Sequence, residues 1–299
     1  MNLLITGAWQ DAAAHLDEIR KMGHEVLFLQ QERDSLPCDP GWIEGVVCNG
    51  LFLYHPIEQF VSLRNIQLTS AGYDRVPMDY IQAHGIEIHN ARGVYSIPMA
   101  EFAVAGVLAL FKGMPRFWEQ QKEHKWEKQR DLRELFGSTV VIVGCGSVGT
   151  ECAKRFQTFG CRVIGVDIAL REDPFFETIL PLDSLDDALA QADVVVLTLP
   201  LTDATRGLID ARRLNLISGA NGKRGILVNI ARGAVVDQKA LEAWDGQAVL
   251  DVFADEPLPE DNPIWNHENW IITPHNSFVG DGNSARLNER IMNNIRSVK

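Results

Sequence analysis

The sequence predicts an α/β protein with two doubly wound parallel sheets, and three observations support this fold class. Short apolar runs rich in β-branched residues alternate with amphipathic segments along most of the chain, which is typical of parallel strands covered by helices on both faces. Near the middle, the run 139–143 leads into a Gly-x-Gly-x-x-Gly turn and then a helical pattern. Because this turn begins only at Gly144, a complete α/β unit can precede it.

The part of the chain before the turn predicts one sheet and one long helix. A shorter helix is predicted at 11–22. Strands are predicted at 3–6, 25–29, 45–48, 66–69 and 86–89. The long helical pattern starts near Pro98, a residue that suits a first helical turn, and runs to about residue 112. Its small residues would allow close packing, within the chain or across a two-fold interface: Ala100, Ala103, Ala105 and Gly106.

After the turn the alternation of strands and helices resumes. Strands are predicted at 163–166, 194–198, 226–229, 248–252 and 270–273. The last segment, 284–298, predicts a helix that could pack back on the first domain. Since the carboxyl ends of parallel strands lie along one edge of a sheet, residues that follow different strands are expected to share one ligand site there.

Composition excludes several classes of function. With 299 residues, 46% of them hydrophobic, the chain can bury enough apolar surface for two domains. A formal net charge of −12 argues against a nucleic-acid or anionic-membrane surface. The apolar run 102–111 is too short to span a bilayer, and the N-terminus predicts a strand rather than a signal peptide. Five scattered cysteines show no zinc spacing, so no metal site is predicted and reduced thiols in a cytoplasm are expected.

The glycine turn predicts a dinucleotide site. Gly144 permits the tight turn, Gly146 lets the backbone approach a pyrophosphate, and Gly149 lets helix and strand pack closely. The N-terminus of the following helix offers N–H donors and a partial positive charge to the phosphates. Asp167, which ends the next strand, can accept hydrogen bonds from both ribose hydroxyls and would repel a 2′-phosphate. The sequence therefore predicts NAD; an NADP preference stays open because Arg171 could reach a 2′-phosphate.

Polar residues that follow other strands are candidates for chemistry. Arg232, between Ala231 and Gly233, could bind a carboxylate bidentately and polarise a neighbouring carbonyl, although an ordinary surface arginine would look the same. His275 is suited to carry the proton that accompanies hydride transfer. Glu256 would favour the imidazolium form of a nearby histidine, and Asp251 could contact the carboxamide of the cofactor.

Several stretches also resemble one family, in its order, over about residues 66–277. They are Thr-Ser-Ala-Gly-Tyr-Asp at 69–74, Asn-Ala-Arg-Gly at 90–93 leading to Met-Ala-Glu at 99–101, the glycine turn, the run 199–209, Asn-Ile-Ala-Arg-Gly-Ala-Val-Val-Asp at 229–237, Leu-Asp-Val-Phe-Ala-Asp-Glu-Pro at 250–257, and Thr-Pro-His at 273–275. In these stretches the chain resembles the D-isomer-specific 2-hydroxyacid dehydrogenases, a group that includes glyoxylate/hydroxypyruvate reductases and phosphoglycerate dehydrogenase.

The resemblance implies two Rossmann-like domains with the active site in the cleft between them. It implies a discontinuous substrate-binding domain of residues 1–94 and 280–299, an NAD-binding domain of residues 95–279, and a homodimer. The catalytic set that it implies is Arg232, Glu256 and His275. The implied substrate contacts are Ala71, Gly72, Arg232 and His275. The expected cofactor contacts are Gly144, Gly146, Ser147, Val148, Gly149, Asp167, Leu199, Pro200, Thr205, Ile230 and Asp251.

Three stretches depart from the family pattern. The segment 214–225 is longer than usual, with an extra turn around 219–222, and the segment 241–250 is shorter. After His275 the chain continues Asn-Ser-Phe, where the family more often has a small residue or glycine at the third position. None of these departures removes a residue of the implied catalytic set, but each could reshape the site.

The sequence therefore predicts an NAD-dependent oxidoreductase that interconverts a small D-2-hydroxy acid and its 2-oxo acid by hydride transfer. Arg232 is expected to orient the substrate, and His275 with Glu256 to act as acid and base. Two alternatives stay open at this level: an NADP-preferring glyoxylate/hydroxypyruvate reductase, and a non-enzymatic NAD-sensing protein like the corepressors that share this scaffold.

Overall fold

A computed structural model describes residues 1–217 and 224–298 of the protein. The chain divides into two units: unit 1 comprises Met1–Tyr95 and Gly280–Lys299, and unit 2 comprises Ser96–Val279. Each unit contains one sheet, and every strand pairing in both sheets is parallel. The predicted fold class, α/β with two doubly wound parallel sheets, is confirmed.

Unit 1 is built on a five-stranded sheet in the order β2-β1-β3-β4-β5. Its strands are β1 Asn2–Thr6, β2 Glu25–Leu29, β3 Gly45–Cys48, β4 Asn65–Leu68 and β5 Glu87–His89. Its helices are α1 Ala12–Lys21, α2 Met78–Ala83 and the C-terminal α9 Asn283–Ser297. All five strands predicted for this region are present, within one or two residues of the predicted bounds.

The C-terminal helix α9 completes the core of unit 1. Leu287 and Ile291 of α9 lie in one apolar cluster with Leu3 and Ile5 of β1, so this helix covers one face of the sheet. The other face, which includes Leu4, packs on a second cluster formed by residues between β2 and β5. The amphipathic pattern of 284–298 therefore gives the packing on the first domain that the sequence predicted.

Unit 2 is built on a seven-stranded sheet in the order β12-β11-β10-β9-β6-β7-β8. Its strands are β6 Thr139–Val143, β7 Arg162–Val166, β8 Thr178–Leu180, β9 Val194–Leu197, β10 Ile226–Asn229, β11 Gln247–Leu250 and β12 Trp270–Ile272. The chain leaves β6 toward β7 and later returns to β9 on the other side of β6. A topological switch point therefore lies at the carboxyl end of β6.

The helices of unit 2 cover both faces of this sheet. They are α3 Ser96–Phe111, α4 Met114–Lys122, α5 Ser147–Thr158, α6 Leu185–Ala190, α7 Ala211–Leu216 and α8 Gln238–Glu242. Val140 and Ile142 of β6 point into one apolar cluster, and Val141 and Val143 into the other. This alternation explains why the strand is apolar throughout.

The small residues of α3 pack within unit 2. Ala100 and Ala103 are fully buried, and a Cβ atom at Gly106 would lie 2.6 Å from Cγ1 of Val249 in β11. Close packing within the chain therefore accounts for these three residues, whereas Ala105, the fourth small residue of the pattern, is exposed. Within the described residues, no single helix is long and apolar enough to cross a membrane; α3 and α4 pass that test only as a pair, bent by 67°.

Candidate active site

The glycine turn has the backbone geometry that its sequence predicts. Gly144 has a φ of +97°, and a Cβ atom there would lie 2.7 Å from the backbone nitrogen of Leu199. A Cβ atom at Gly149 would lie 2.1 Å from the carbonyl oxygen of Gly144. Both positions therefore require glycine, the first for its conformation and the second for helix–strand packing. The structure places this turn at the switch point, directly after β6.

Free donors and open space meet at the start of α5. Within residues 1–217 and 224–298, the backbone N–H groups of Ser147 and Val148 donate no hydrogen bond. A Cβ atom at Gly146 would meet nothing within 4 Å, so a ligand can approach the backbone there. Unpaired N–H groups at the N-terminus of a 12-residue helix suit an anionic group. These residues fit the pyrophosphate of a dinucleotide.

Asp167 lies beside the glycine turn and is held there by backbone donors. Its Oδ2 accepts a hydrogen bond from the N–H of Cys145 at 2.6 Å, and its Oδ1 accepts one from the N–H of Ala169 at 2.8 Å. Each carboxylate oxygen keeps a second lone-pair direction for a ribose hydroxyl. The arrangement fixes the carboxylate of Asp167 beside the glycine turn.

Arg171 also lies over the turn, but it already has partners. Its Nη2 donates to the carbonyl oxygen of Cys145 at 2.6 Å and lies 3.1 Å from Oδ2 of Asp173, whose side chain is 10% exposed. Asp173 therefore offsets the charge of the guanidinium. The arginine that could have favoured NADP is less available to a 2′-phosphate than its sequence position suggests.

The loop after β9 supports the other side of the turn. The Thr198 hydroxyl donates to the carbonyl oxygen of Gly144 at 2.5 Å, and Leu199 is buried against that glycine. Thr205 Oγ1 donates to the carbonyl oxygen of Pro200 at 2.8 Å, which closes the loop. Ile230, after β10, is 1% exposed, so it can reach a ligand only through its backbone.

His275 and Glu256 form a direct pair. Nδ1 of His275 lies 2.7 Å from Oε2 of Glu256, and their side chains are 41% and 34% exposed. Oε1 of Glu256 accepts a hydrogen bond from the N–H of Phe253 at 3.0 Å, which orients the carboxylate. An ionised carboxylate only accepts, so Nδ1 is the donor and Nε2 is the ring nitrogen left to exchange a proton.

Phe278 borders this pair. Its ring meets the imidazole of His275 edge-on, with the centroids 6.1 Å apart, and 40% of the residue is exposed. Phe278 is the third residue after His275, where the sequence departs from the family pattern. The departure therefore lies at the candidate acid and changes the apolar surface beside it.

Arg232 is positioned by the strand that precedes it. Asn229, 1% exposed, donates from Nδ2 to the carbonyl oxygen of Arg232 at 3.1 Å and accepts from the N–H of Ala231 at 3.1 Å. A Cβ atom at Gly233 would lie 1.8 Å from the backbone carbon of Phe253. The loop that carries Arg232 therefore packs on the segment 251–256, which also carries Glu256.

In unit 1, the loop after β4 presents free backbone donors. The N–H groups of Ala71 and Gly72 donate no hydrogen bond to any residue that the structure describes. Their loop is held through carbonyl groups instead: Asn90 Nδ2 donates to the oxygen of Ala71 at 2.6 Å, and the Tyr95 hydroxyl donates to that of Thr69 at 2.5 Å. The amides are thus fixed in place and available to an anionic ligand.

Two asparagines that hold these loops, Asn229 and Asn90, were not predicted from the sequence. Asn229 is the last residue of β10 and Asn90 directly follows β5, so a position at a strand end was the available signal. Asp251, expected as a cofactor contact, is fully buried and accepts hydrogen bonds from Thr273, Asn276 and Ser277. The predicted extra turn at 219–222 lies outside the described residues.

Unit 2 thus combines a glycine turn at the switch point, free donors at the next helix and a carboxylate after the next strand. This combination defines a dinucleotide-binding α/β protein. The family model for the NAD-binding domain of D-isomer specific 2-hydroxyacid dehydrogenases matches residues 104–277. The chain belongs to that family.

Relatives and solved structures agree with this membership. A glyoxylate reductase from Korarchaeum cryptofilum is 32% identical over 249 residues, which are 79% of this chain and 73% of the relative. A D-isomer specific 2-hydroxyacid dehydrogenase from Xanthobacter autotrophicus, solved with NADPH and MES, is 26% identical with a TM-score of 0.76 and covers 99% of this chain and 93% of its own.

A D-lactate dehydrogenase from Aquifex aeolicus, solved with NAD and lactic acid, shares the fold: its TM-score is 0.80 at 24% identity, over 99% of this chain and 95% of that one. The family establishes the protein as an oxidoreductase that acts on the CH–OH group of 2-hydroxy acids with a nicotinamide cofactor. The prediction that the protein is an enzyme of this family is confirmed.

Proposed function

We propose that the protein interconverts a small D-2-hydroxy acid and its 2-oxo acid, with NAD as the preferred cofactor. The observation that carries this proposal is the 2.7 Å contact between His275 Nδ1 and Glu256 Oε2 on a dinucleotide-binding fold. The bound cofactor supplies the hydride. Side chains and backbone groups of the chain bind and orient the substrate and exchange the proton.

His275 is the proposed acid in the reducing direction. Glu256 accepts the hydrogen bond of Nδ1–H, so Nε2 is the ring nitrogen that donates a proton to the carbonyl oxygen of the 2-oxo acid. In the oxidising direction Nε2 accepts the proton of the hydroxyl. The Phe253 N–H orients Glu256, so the carboxylate stays hydrogen-bonded to Nδ1 in both the reducing and the oxidising direction.

Two sets of donors are proposed to bind the substrate. Arg232 binds the carboxylate and polarises the carbonyl group, for which the planar guanidinium is suited. The unpaired N–H groups of Ala71 and Gly72 bind carboxylate oxygens. In this proposal unit 1 is the substrate-binding domain and unit 2 the NAD-binding domain.

The preference for NAD rests on Asp167 and Asp173. Asp167 carries a negative charge beside the turn, and Asp173 offsets the charge of Arg171. Gly144, Gly146 and Gly149 form the turn, and Ser147 and Val148 supply donors. The loops that carry Leu199, Pro200, Thr205 and Ile230 are also proposed to contact the cofactor, Ile230 through its backbone.

We further infer a homodimer in the cytoplasm. Large apolar side chains are exposed on unit 2 at and after α4: Trp118 at 45%, Trp126 at 96% and Phe136 at 77%. A second copy would cover such side chains. Sedimentation equilibrium tests this: the wild type should have the mass of a dimer, and Trp126→Ser should dissociate more readily.

The cytoplasmic location is inferred from the cysteines. All five cysteines are free, which fits a reducing compartment.

The deciding experiment is a steady-state screen with NADH and NADPH against glyoxylate, hydroxypyruvate, pyruvate, phenylpyruvate and a branched-chain 2-oxo acid. We expect turnover of at least one acid and a higher kcat/KM with NADH. His275→Ala should lose roughly 100-fold or more in kcat, since general acid catalysis contributes about that much. His84→Ala, at an exposed histidine of unit 1, is the matched control.

Three outcomes would contradict parts of the proposal. Oxidation of neither cofactor with any acid would exclude this activity and favour the NAD-sensing alternative. A higher kcat/KM with NADPH would establish the NADP-preferring alternative. Full activity of His275→Ala would remove His275 from the catalytic set.

A further inference from the structure

The backbone of His275 is held in an unusual conformation. Its φ is +51°, in the left-handed region that non-glycine residues rarely adopt. Among the non-glycine residues of 1–217 and 224–298, only His124 shares a positive φ. His124 follows the exposed end of α4, whereas His275 carries the proposed acid. Strained residues persist only where surrounding groups hold them.

The donors around His275 converge on Asp251. Oδ1 of Asp251 accepts hydrogen bonds from the Thr273 hydroxyl at 2.6 Å and from the N–H of Asn276 at 2.7 Å. Its Oδ2 accepts one from the N–H of Ser277 at 2.9 Å. The N–H of His275 itself donates to the backbone oxygen of Asp251 at 2.8 Å. One residue therefore binds the chain on both sides of His275.

Burial makes this arrangement rigid. Asp251 is 0% exposed and Ser277 is 2% exposed, so water does not replace these hydrogen bonds. A buried carboxylate without a cation depends on such donors, because burial of an unsatisfied charge is costly. The loop and the carboxylate thus stabilise each other, and the loop can take few other conformations.

Asp251 and Glu256 lie on the same segment of the chain, and both bind His275. Asp251 follows β11 directly and fixes the backbone of His275, whereas Glu256, five residues later, binds Nδ1 of its ring. Gly233, next to Arg232, packs on Phe253 between these two acids. The segment 251–256 is therefore the common support of the proposed catalytic residues.

We propose that Asp251 is the positioning residue of His275: it holds the left-handed backbone that directs Nδ1 to Glu256 and leaves Nε2 to the substrate. This role rests on the proposed function of the His275–Glu256 pair. It differs from the contact with the cofactor carboxamide that the sequence suggested, and the two roles predict different kinetics.

The test compares Asp251→Asn with the wild type. An asparagine keeps the size, but its amide NH₂ would face the N–H of Ser277, donor against donor. We expect kcat to fall roughly 10- to 100-fold, because a small misplacement of a catalytic group costs about that much. The Kd of NADH, measured by quenching of tryptophan fluorescence, should stay within about twofold. Asp261→Asn, at an exposed acid outside the segment 251–256, is the matched control.

A second variant covers the case in which Asp251→Asn does not fold. Thr273→Val removes the hydroxyl that donates to Oδ1 and leaves the backbone donors of Asn276 and Ser277 in place. We expect a smaller loss of kcat, about threefold to tenfold, again with the NADH Kd unchanged. A crystal structure of either variant should show φ of His275 altered or its contact with Glu256 lengthened.

The outcomes separate the two proposals. A weaker NADH Kd with kcat retained at saturating NADH would overturn the positioning role and establish a cofactor contact. Full kcat with the 2.7 Å contact intact would also overturn it. If the wild type turns over no 2-oxo acid, the proposed function fails, and the crystal structures still test whether Asp251 sets the conformation of His275.

Discussion

Glu256 binds Nδ1 of His275 at 2.7 Å with one carboxylate oxygen, and its other oxygen accepts the N–H of Phe253 at 3.0 Å. The carboxylate is therefore oriented by the backbone and does not rotate freely at the surface. This arrangement fixes which ring nitrogen carries the exchangeable proton.

Replacement of Glu256 by glutamine should lower kcat although the shape of the side chain is kept. A neutral amide accepts the hydrogen bond of His275 Nδ1–H less strongly than a carboxylate does, and its NH₂ group can face the ring instead. We expect kcat for 2-oxo acid reduction to fall roughly 10- to 100-fold at neutral pH. Glu260→Gln, at an exposed acid nearby, should keep the wild-type kcat; an unchanged kcat for Glu256→Gln would contradict the assigned role.

Replacement of Arg232 by lysine should impair substrate binding although the charge is kept. An ammonium group cannot form two parallel hydrogen bonds with a carboxylate. Loss of one such bond to a charged group is expected to cost about 1.5–3 kcal/mol, or roughly 10- to 100-fold in kcat/KM. Steady-state kinetics measures this, and Arg116→Lys in α4 serves as the control. An equal kcat/KM for Arg232→Lys would show that bidentate binding is not needed.

Replacement of Asp167 by serine should shift the cofactor preference toward NADPH. The change removes the negative charge beside the glycine turn, and like charges in contact cost several kcal/mol. We expect the ratio of kcat/KM for NADH to that for NADPH to fall by roughly tenfold or more. Asp183→Ser, at an exposed acid of unit 2, should leave the ratio unchanged. A ratio that does not move would mean that Asp167 does not face the 2′ position.

The buried thiols should resist alkylation in the folded protein. Burial raises the pKa of Cys145 and of Cys152 to about 12, and that of Cys161 to about 11. The pKa of Cys48 is also raised by burial. Since the thiolate is the reactive form, these groups stay protonated at pH 8. We expect iodoacetamide to label only Cys38, the partly exposed thiol, and to label all five after unfolding, as intact mass measures; fast labelling of Cys145 would contradict the structure.

Replacement of Gly106 by alanine should destabilise unit 2. Alanine favours a helix by about 1 kcal/mol over glycine, but its Cβ would meet the stiff side chain of Val249 at 2.6 Å. Overpacking of this kind typically costs about 1–3 kcal/mol. Denaturant unfolding should show a lower midpoint for Gly106→Ala and partial recovery for the double variant Gly106→Ala, Val249→Ala. If Gly106→Ala alone is as stable as the wild type, the close contact is absent.

The strands were predictable because they are buried in parallel sheets. Such strands are apolar on both faces, and runs such as 139–143 and 194–198 show this directly in the sequence. The helix α4 was missed, since Met114–Lys122 begins a segment that is charged and polar. The short strand β8, Thr178–Leu180, was missed because three residues at a sheet edge carry no periodic signal.

The candidate site was predictable to the extent that its residues follow strands. Gly144, Asp167, Arg232 and His275 all do so, and the topology of a parallel sheet brings strand ends to one edge. The support of these residues was not predictable. Gly233 packs on Phe253 across 20 residues, and Asp251 binds donors more than 20 residues away. No local pattern encodes such contacts.

By itself, the sequence determined the fold class, the glycine turn with its acidic partner, and the identity of the polar residues at the strand ends. Local propensity and hydrophobic periodicity act over a few residues, and these features depend on nothing longer. The tertiary structure alone decided that Ala100, Ala103 and Gly106 of α3 pack inside unit 2 and that Asp173 pairs with Arg171. It also decided that Asp251 accepts hydrogen bonds from residues on both sides of His275, whose φ is positive. Those outcomes depend on burial and on hydrogen bonds between distant residues, which form only when the strands have been assembled.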